Sequence, residues 1–449
     1  MAERLPRYVH VGTGQRSWMY ITALVGKHAD AGVLCALCDT NQHRMDYWNK
    51  YIGEKFNHAP VPTYKAADFD RMIAEQKPDT VIVTSVDRTH HKYICRAMEL
   101  GCDVITEKPM TVDAEKCQEI IDTQKRTGRK VTVAFNYRYA PRNTKVKEII
   151  RSGVVGTITS VHFEWALSTC HGADYFRRWH RDKNNSGGLL VHKSTHHFDL
   201  VNWWMDSEPE SVFAMGALRF YGRANAESRG IDYRYFRTRN VPAAADDPFR
   251  YYGPQDPHWK DVFDNIYFGS EGEDDYFRDL NVFSDGISIE DNMGVMVRYK
   301  NKAILTYSLN AHAPWEGYRV TFNGTKGRLE VNAVEVSSYK NRTTQEYAPC
   351  DYPGARLLDS SRGDLAPEIL FQPHWGQPWI IDYPEVEADA DHGGGDELIL
   401  QHLFRGVKDD PLGHAANNID GAKSILIGIA GNESMRTGLP VKVESLVKF

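Results

Sequence analysis

The stretch that decides the fold reads Tyr8-Val9-His10-Val11-Gly12-Thr13-Gly14-Gln15-Arg16-Ser17. Its apolar, β-branched start predicts a strand, and the glycine pair predicts a tight turn into a helix. Ser17 stands where the G-x-G-x-x-G pattern has its third glycine. Such a turn lets the backbone approach a pyrophosphate, which then lies at the helix N-terminus. The motif is weak when it stands alone, so the surrounding pattern has to support it.

The surrounding pattern is an alternation of apolar runs and helical segments up to about residue 137. Short strands separated by helices of about ten to fifteen residues predict parallel βαβ units with right-handed crossovers. We therefore predict an α/β fold in which residues 1–139 form a doubly wound Rossmann domain. The candidate strands are residues 8–11, 33–37, 80–84, 103–106 and 131–135.

Asp39 ends the second of these strands and indicates which cofactor binds. Its distance from the glycine pair fits the carboxylate that binds an adenosine ribose. A carboxylate there repels a 2′-phosphate, so NAD is favoured over NADP. Arg16 and Arg44 weaken that preference, because either could reach a phosphate. A glycine turn with no nucleotide at all is the plainer alternative.

The pattern changes after residue 140, where longer alternating strands begin. Residues 157–165, 294–299 and 303–309 alternate in this way, and residues 324–327 form a turn into residues 328–331. We predict that residues 140–449 form an α/β domain with a large, open, mostly antiparallel sheet that binds substrate and mediates oligomerisation. Residues 220–285 have weak periodicity and many Arg, Asp, Tyr and Phe, which predicts a long ordered insertion over a site or a subunit contact.

The composition excludes several classes of protein. The 449 residues are 41% hydrophobic, and 54 Lys+Arg against 60 Asp+Glu leave a net charge of −6. That balance argues against nucleic acid as a partner, since neutralising phosphates requires a basic surplus. No apolar stretch approaches the ~20 residues of a membrane-spanning helix, and the N-terminus lacks a signal-peptide pattern. Seven cysteines in no metal-like cluster favour reduced thiols, so we expect a cytoplasmic protein without a membrane partner.

Polar groups lie at the ends of the later strands of the predicted Rossmann domain. Thr84 ends one strand and His90 follows it, Glu107-Lys108-Pro109 follow the next strand, and Asn136-Tyr137-Arg138-Tyr139 follow the last. Ligands of open parallel sheets bind beyond the carboxyl ends of the strands, so these groups should meet at the cofactor, with Lys108 near its nicotinamide. A lysine before a proline is also common in plain surface turns. The expected cofactor contacts are Gly12, Gly14, Gln15, Arg16, Asp39, Thr84, His90, Glu107, Lys108 and Asn136.

A third constellation runs from Gly187 to Asp199 and is rich in histidine. On one helix His192 and His196 would lie a turn apart and face the same way. Paired imidazoles can transfer protons near neutral pH, and Asp199 is placed to orient the ring of His196. No further ligand completes a zinc signature, so we expect no metal. The plainer reading is a pair of core histidines on a buried helix.

Taken together and in this order, these motifs resemble the Gfo/Idh/MocA oxidoreductases, the glucose-fructose oxidoreductase and inositol dehydrogenase family. The resemblance extends to the Asn323-Gly324-Thr325-Lys326-Gly327 turn and so covers nearly the whole chain. It implies NAD(P)-dependent oxidation of a sugar or cyclitol hydroxyl, or reduction of the matching ketone. It also implies a homodimer or homotetramer formed through the open sheet.

The resemblance also implies catalytic roles. Lys108 matches the family's E-K-P lysine, and His196 matches the histidine of its D-x-G-x-H-x-x-D pattern. His192 stands where that pattern has Asp, and Ser194 replaces its Gly, so the usual division of roles is altered. One assignment has His192 orienting the substrate, His196 taking the hydroxyl proton and Lys108 stabilising the alkoxide.

We expect a carbohydrate substrate, and the arginines on either side of Trp179, Arg178 and Arg181, suit an anionic one. Guanidinium groups bind carboxylate, sulfonate or phosphate, and Trp stacks on a sugar ring. A solvated basic segment that forms salt bridges is the plainer alternative. The expected substrate contacts are Tyr137, Arg138, Tyr139, Arg178, Trp179, Arg181 and Lys193.

Two other functions remain open at this stage. The first is an NAD-dependent glycoside hydrolase acting on an anionic glycoside such as a uronide or sulfoquinovoside, by oxidation, elimination, water addition and re-reduction. It needs a second base, for which His192, Tyr137, Tyr139 and His392 are candidates. The second is a non-catalytic NAD-binding regulator, since a fold does not determine a function.

Overall fold

The computed structural model describes residues 4–254, 256–338, 340, 344–346, 368–384 and 391–449. Cys350 lies outside these ranges, and the six cysteines inside them are free thiols. Within the described residues no helix combines the length and the apolar character needed to cross a bilayer.

In the described ranges the first sheet has seven strands, six of which are parallel. The order across it is β15-β6-β5-β4-β1-β2-β3, with the reversal between β1 and β4 that defines a doubly wound sheet. The predicted Rossmann fold is thus confirmed, although the short third strand was missed. Its strands are β1 (Arg7–Val11), β2 (Val33–Asp39), β3 (Thr63–Lys65), β4 (Thr80–Val83), β5 (Asp103–Thr106), β6 (Val131–Val133) and β15 (Ala416–Asn417).

The second sheet is mostly antiparallel, as predicted, and the described residues contribute nine strands to it. The order is β14-β13-β12-β11-β7-β10-β9-β8-β16, and only β7 and β10 pair in parallel among the described strands. Burial alternates along β9 and β10, so one face of this sheet packs on the core. Its strands are β7 (Ile158–Ser168), β8 (Pro209–Ala217), β9 (Asn292–Tyr299), β10 (Ile304–Ala313), β11 (Glu316–Gly324), β12 (Gly327–Val336), β13 (Ile369–Pro373), β14 (Trp379–Ile380) and β16 (Val441–Lys442).

The helices flank the first sheet and cover the inner face of the second. Gly128 and Gly438 end two of them in the left-handed conformation, which glycine adopts without strain. The helices are α1 (Ser17–Val25), α2 (Gln42–Phe56), α3 (Phe69–Gln76), α4 (His90–Glu99), α5 (Ala114–Thr127), α6 (Pro141–Arg151), α7 (Thr169–Arg177), α8 (Lys183–Ser186), α9 (Leu189–His192), α10 (Thr195–Met205), α11 (Arg223–Ser228), α12 (Pro257–Ile266), α13 (Glu271–Asp274), α14 (Gly395–Arg405) and α15 (Asn418–Thr437).

The connection between β8 and β9 carries the predicted insertion and packs on the first sheet's helices. The Tyr47 hydroxyl of α2 donates to Asp261 of α12 at 3.0 Å, and the rings of Trp18 and Trp259 lie 5.1 Å apart. Tyr267, just after α12, donates to the Gln15 side chain across 3.5 Å. The insertion therefore contacts the glycine turn, α1 and α2.

Candidate active site

The glycine turn has the shape that a dinucleotide requires. Gly12 has φ +88°, and a Cβ there would lie 2.5 Å from the backbone nitrogen of Ser85, so only glycine fits. A Cβ on Gly14 would meet nothing within 4 Å. The N–H groups of residues 14–16 donate to no acceptor in the described part of the chain. Open space beside free donors at the start of α1 fits a pyrophosphate.

The carboxylate of Asp39, at the end of β2, accepts hydrogen bonds from the protein itself. One carboxylate oxygen accepts hydrogen bonds from the backbone and hydroxyl of Thr13 at 2.5 and 2.8 Å, and the other from the Asn41 N–H at 2.9 Å. Arg44 lies 3.7 Å from Asp39 but pairs with Asp274 of the insertion at 2.7 Å. Arg44 is thus neutralised from two sides and is poorly placed to serve a phosphate.

Arg16 is likewise engaged, because it bridges two carboxylates. Its Nε donates to Glu107 at 2.5 Å and its Nη1 to Asp396 at 3.3 Å. Asp396 also accepts from the side chain of Asn136, whose Oδ1 is buried and has no partner among the residues that the structure describes. This network fixes the loop that carries Lys108, and the free amide oxygen of Asn136 can accept a hydrogen bond from a ligand.

Lys108 follows Glu107 on that loop and is half-buried. His90 supports the loop, since its two ring nitrogens lie 2.9 Å from the carbonyl oxygens of Pro109 and Ser85. The Lys108 Nζ lies 3.5 Å from the carbonyl oxygen of His192. Burial, opposed by Glu107, lowers the pKa of Lys108 to about 8. Thr84 directly follows β4, and its hydroxyl donates to the Gly12 carbonyl oxygen at 2.6 Å.

The predicted single helix through both histidines is wrong. α9 ends at His192 and α10 begins at Thr195, because the N–H groups of Lys193 and Ser194 both donate to the Leu189 carbonyl and close the first helix. His192 is the last residue of α9 and contacts the loop after β4. Its Nδ1 lies 2.5 Å from the buried carboxyl of Asp87, and burial lowers its pKa well below the ordinary value.

His196 is buried against aromatic side chains. It stacks on Tyr137 with ring centroids 4.5 Å apart, and its Nδ1 has no partner in the described residues. Burial, and then the positive charge of Lys108, lower the pKa of His196 well below the ordinary value. The imidazole is therefore neutral at neutral pH and can accept a proton. The ring of His392 lies 6.1 Å away, and Lys193 lies over the Trp165 ring at 4.5 Å.

Trp179 and Arg178 border the same space. Trp179 stacks on His180 at 3.6 Å, and the ring of His180 lies 4.4 Å from that of His192. Burial and then the charge of Arg178 lower the pKa of His180 well below the ordinary value. No salt bridge joins Arg178 to a carboxylate within the described residues. Arg178 thus adds positive charge to the cluster.

Three residues expected at the substrate make contacts with other parts of the protein. Arg138 makes a buried two-pronged salt bridge to Asp199 at 2.6 and 2.7 Å, so Asp199 orients an arginine and not the ring of His196. The Tyr139 hydroxyl lies 2.9 Å from His402. Arg181 donates to the Ser284 hydroxyl and the Asp285 carbonyl of the insertion. These contacts hold elements together.

Two family models match the chain in tandem. Residues 7–135 match the NAD-binding Rossmann fold of an oxidoreductase family, and residues 147–443 match the C-terminal alpha/beta domain of the same family. The chain belongs to the Gfo/Idh/MocA oxidoreductases. This oxidoreductase therefore has the NAD-binding fold that the glycine turn indicates.

Relatives and solved structures are similar to this Gfo/Idh/MocA oxidoreductase over different lengths. YteT of Bacillus subtilis (strain 168), named as an oxidoreductase, is 36% identical, with 98% of each chain covered. Glycosyl hydrolase family 109 protein 1 of Akkermansia muciniphila is 29% identical over 34% of this chain and 31% of its own. The WlbA dehydrogenase of Bordetella pertussis, solved with NADH and UDP-GlcNAcA, superposes with TM-score 0.61 at 16% identity, covering 98% and 99% of the two chains.

Sequence reasoning missed several groups that the oxidoreductase places at this site. Asp87 contacts His192 from the loop after β4, and His171 lies 2.7 Å from Glu316 beside Tyr175. The sequence signal that could have indicated Asp87 is a carboxylate shortly after the predicted strand at residues 80–84. Nothing local marked Glu316. No group of three His, Cys, Asp or Glu side chains able to hold a metal ion occurs among the residues that the structure describes.

Proposed function

We propose that this oxidoreductase uses NAD to oxidise a ring hydroxyl of a sugar, sugar acid or cyclitol, or to reduce the matching ketone. The observation that carries the proposal is the grouping of Lys108, the neutral imidazole of His196 and the Asp87–His192 pair in a protein whose glycine turn has room for a dinucleotide. A cation beside a neutral base is the arrangement that deprotonating an alcohol requires.

Each group has a role in that reaction. His196 accepts the hydroxyl proton, since its imidazole is neutral and its Nδ1 has no partner in the described part of the chain. Lys108, as the ammonium, stabilises the developing alkoxide. His192, held at Nδ1 by Asp87, orients the substrate through Nε2. The side chains of Trp179, Tyr137 and Lys193 bind the ring and any anionic substituent, with Arg178 adding charge.

The residues around the glycine turn suit NAD as the cofactor. The turn at Gly12 and Gly14 would hold the pyrophosphate, Asp39 the ribose and Asn136 the nicotinamide side, and the bound nicotinamide supplies the hydride acceptor. The engagement of Arg16 and Arg44 with carboxylates supports NAD over NADP, because neither cation is left for a 2′-phosphate.

A second candidate is the NAD-dependent glycoside hydrolase. His392 favours it, because its ring lies 5.4 Å from Tyr137 and 6.1 Å from His196 and so offers a second base near the same substrate. The similarity to a glycosyl hydrolase family 109 protein agrees with this candidate. Such an enzyme would leave NAD unchanged after each turnover.

One assay separates the two candidates. The purified protein is incubated with NAD and a panel of neutral sugars, sugar acids, cyclitols and aryl glycosides, while NADH and released aglycone are followed together. Stoichiometric NADH without aglycone supports the dehydrogenase. Aglycone release that needs NAD and accumulates no NADH supports the hydrolase. Binding of NAD with neither product, across the whole panel, would contradict both.

The protonation of Lys108 gives a pH-dependence prediction. The ammonium form, which stabilises the alkoxide, is present below the lowered pKa of about 8 and is lost above it. We expect kcat/KM for oxidation to stay level from about pH 6 to 8 and to fall above about pH 8, because kcat/KM reports the free enzyme's groups. A profile that instead rises through pH 8 would make Lys108 the base.

A further inference from the structure

The insertion places a carboxylate on the N-terminus of α2. Glu273, in α13, accepts hydrogen bonds from the backbone N–H groups of Gln42 and His43 at 2.7 and 3.0 Å, one to each oxygen. Lys65, at the end of β3, donates to the same carboxylate at 2.9 Å. Glu273 thus uses two helix donors and one lysine, the groups that bind an anion at a helix N-terminus.

This position lies next to the expected cofactor contact of Asp39. Only Thr40 and Asn41 separate Asp39 from the first residue of α2, and Asn41 donates its side-chain amide to the Ser270 carbonyl of the insertion at 2.9 Å. In dinucleotide-binding folds the 2′-hydroxyl of the adenosine ribose binds at the end of this second strand, and a 2′-phosphate is accommodated by nearby cations. The donors bound by Glu273 are those that a 2′-phosphate would use.

We propose that Glu273 is a specificity-determining residue that excludes NADP by occupying the anion site of the 2′-phosphate. The inference rests on the proposed use of a nicotinamide dinucleotide and adds to Asp39 a residue from a distant part of the chain. A 2′-phosphate would have to displace a carboxylate that is already hydrogen-bonded, and would meet its charge while doing so.

The neighbouring charges support this assignment. Hydrogen bonds from Lys65 and the α2 backbone lower the pKa of Glu273 to about 2, so it is charged at every working pH. Asp274, the next residue, pairs with Arg44 at 2.7 Å and so removes the other nearby cation. Two successive acidic residues of the insertion therefore take the lysine and the arginine that a phosphate needs.

The test compares equilibrium binding of NADH and NADPH, followed by fluorescence of the reduced nicotinamide and without substrate. The variants are Glu273→Gln, which removes the charge at constant shape, and Glu273→Asp, which keeps it. Asp264→Asn is the matched control, since Asp264 lies in the same insertion but pairs with Lys260 on the exposed side of α12. Circular dichroism and a thermal midpoint check that each variant is folded.

For Glu273→Gln we expect NADPH affinity to rise about tenfold while NADH affinity changes less than about threefold. Glu273→Asp and Asp264→Asn should retain the wild-type ratio of the two affinities. Equal weakening of NADH and NADPH in Glu273→Gln would make Glu273 a plain helix cap and overturn the inference. So would unchanged binding of both, or tight NADPH binding by the wild type. If the wild type binds neither dinucleotide, the proposed function itself fails, and that outcome is distinct.

Discussion

Replacing Lys108 by methionine is expected to lower kcat roughly a thousandfold while leaving the affinity for NADH within a few-fold of wild type. The side chain keeps its length and apolar stem, but the alkoxide loses the only cation that the proposed mechanism directs at it. The loss should appear in kcat more than in KM, because the interaction forms in the transition state. Stopped-flow measurement of NADH formation, over a range of concentrations of the best substrate of the panel, gives kcat and KM.

Lys92→Met is the matched control for this prediction. Lys92 is an exposed lysine on α4, so its loss should leave turnover unchanged. The remaining activity of Lys108→Met should also lose the alkaline limb near pH 8. Undiminished turnover in Lys108→Met would remove Lys108 from the mechanism, even if the cofactor still binds.

The second large effect is expected from Arg138→Met, and on stability. Arg138 and Asp199 are almost fully buried, so removing the guanidinium leaves an unpaired carboxylate in the interior. Breaking a buried pair in this way costs about 3–5 kcal/mol. Burial already raises the pKa of Asp199 to about 6 with Arg138 present. Urea unfolding of the apoprotein should show the loss as a lower midpoint.

The double variant Arg138→Met, Asp199→Asn distinguishes a structural role from substrate binding. Removing both charges should restore much of the lost stability, since no uncompensated charge remains. If Arg138 binds substrate instead, the single variant would keep its unfolding midpoint and raise KM. That result would return Arg138 to the substrate site, where the sequence placed it.

The sequence predicts the first sheet well because its signals are local. The strand ending at Val11, the glycine turn and the helix ended by Gly128 each depend on a few adjacent residues. β3 was missed because three residues are too few to show alternation. The family resemblance added Lys108 and His196, which periodicity alone could not separate from core residues.

The remaining parts of the site depend on contacts between distant segments. Asp87 and His192 are far apart in the chain and meet only in the folded protein, where the helix that carries His192 breaks before Thr195. Helical spacing could not predict that break, since Lys193 and Ser194 are compatible with a continuing helix. The pairing of Glu273 with the start of α2 is equally invisible in the sequence, because the insertion has no regular period.

The short strand β15 means that the dinucleotide-binding unit is completed by residues from the far end of the chain. Ala416 and Asn417 pair with β6 and close that edge of the first sheet, and Asn136 beside it is held by Asp396 of α14. A fragment ending at residue 139 would expose the β6 edge to pairing with other chains. We therefore expect cofactor binding to require a polypeptide that extends through β15, because residues near the other end of the chain complete the sheet of the N-terminal third.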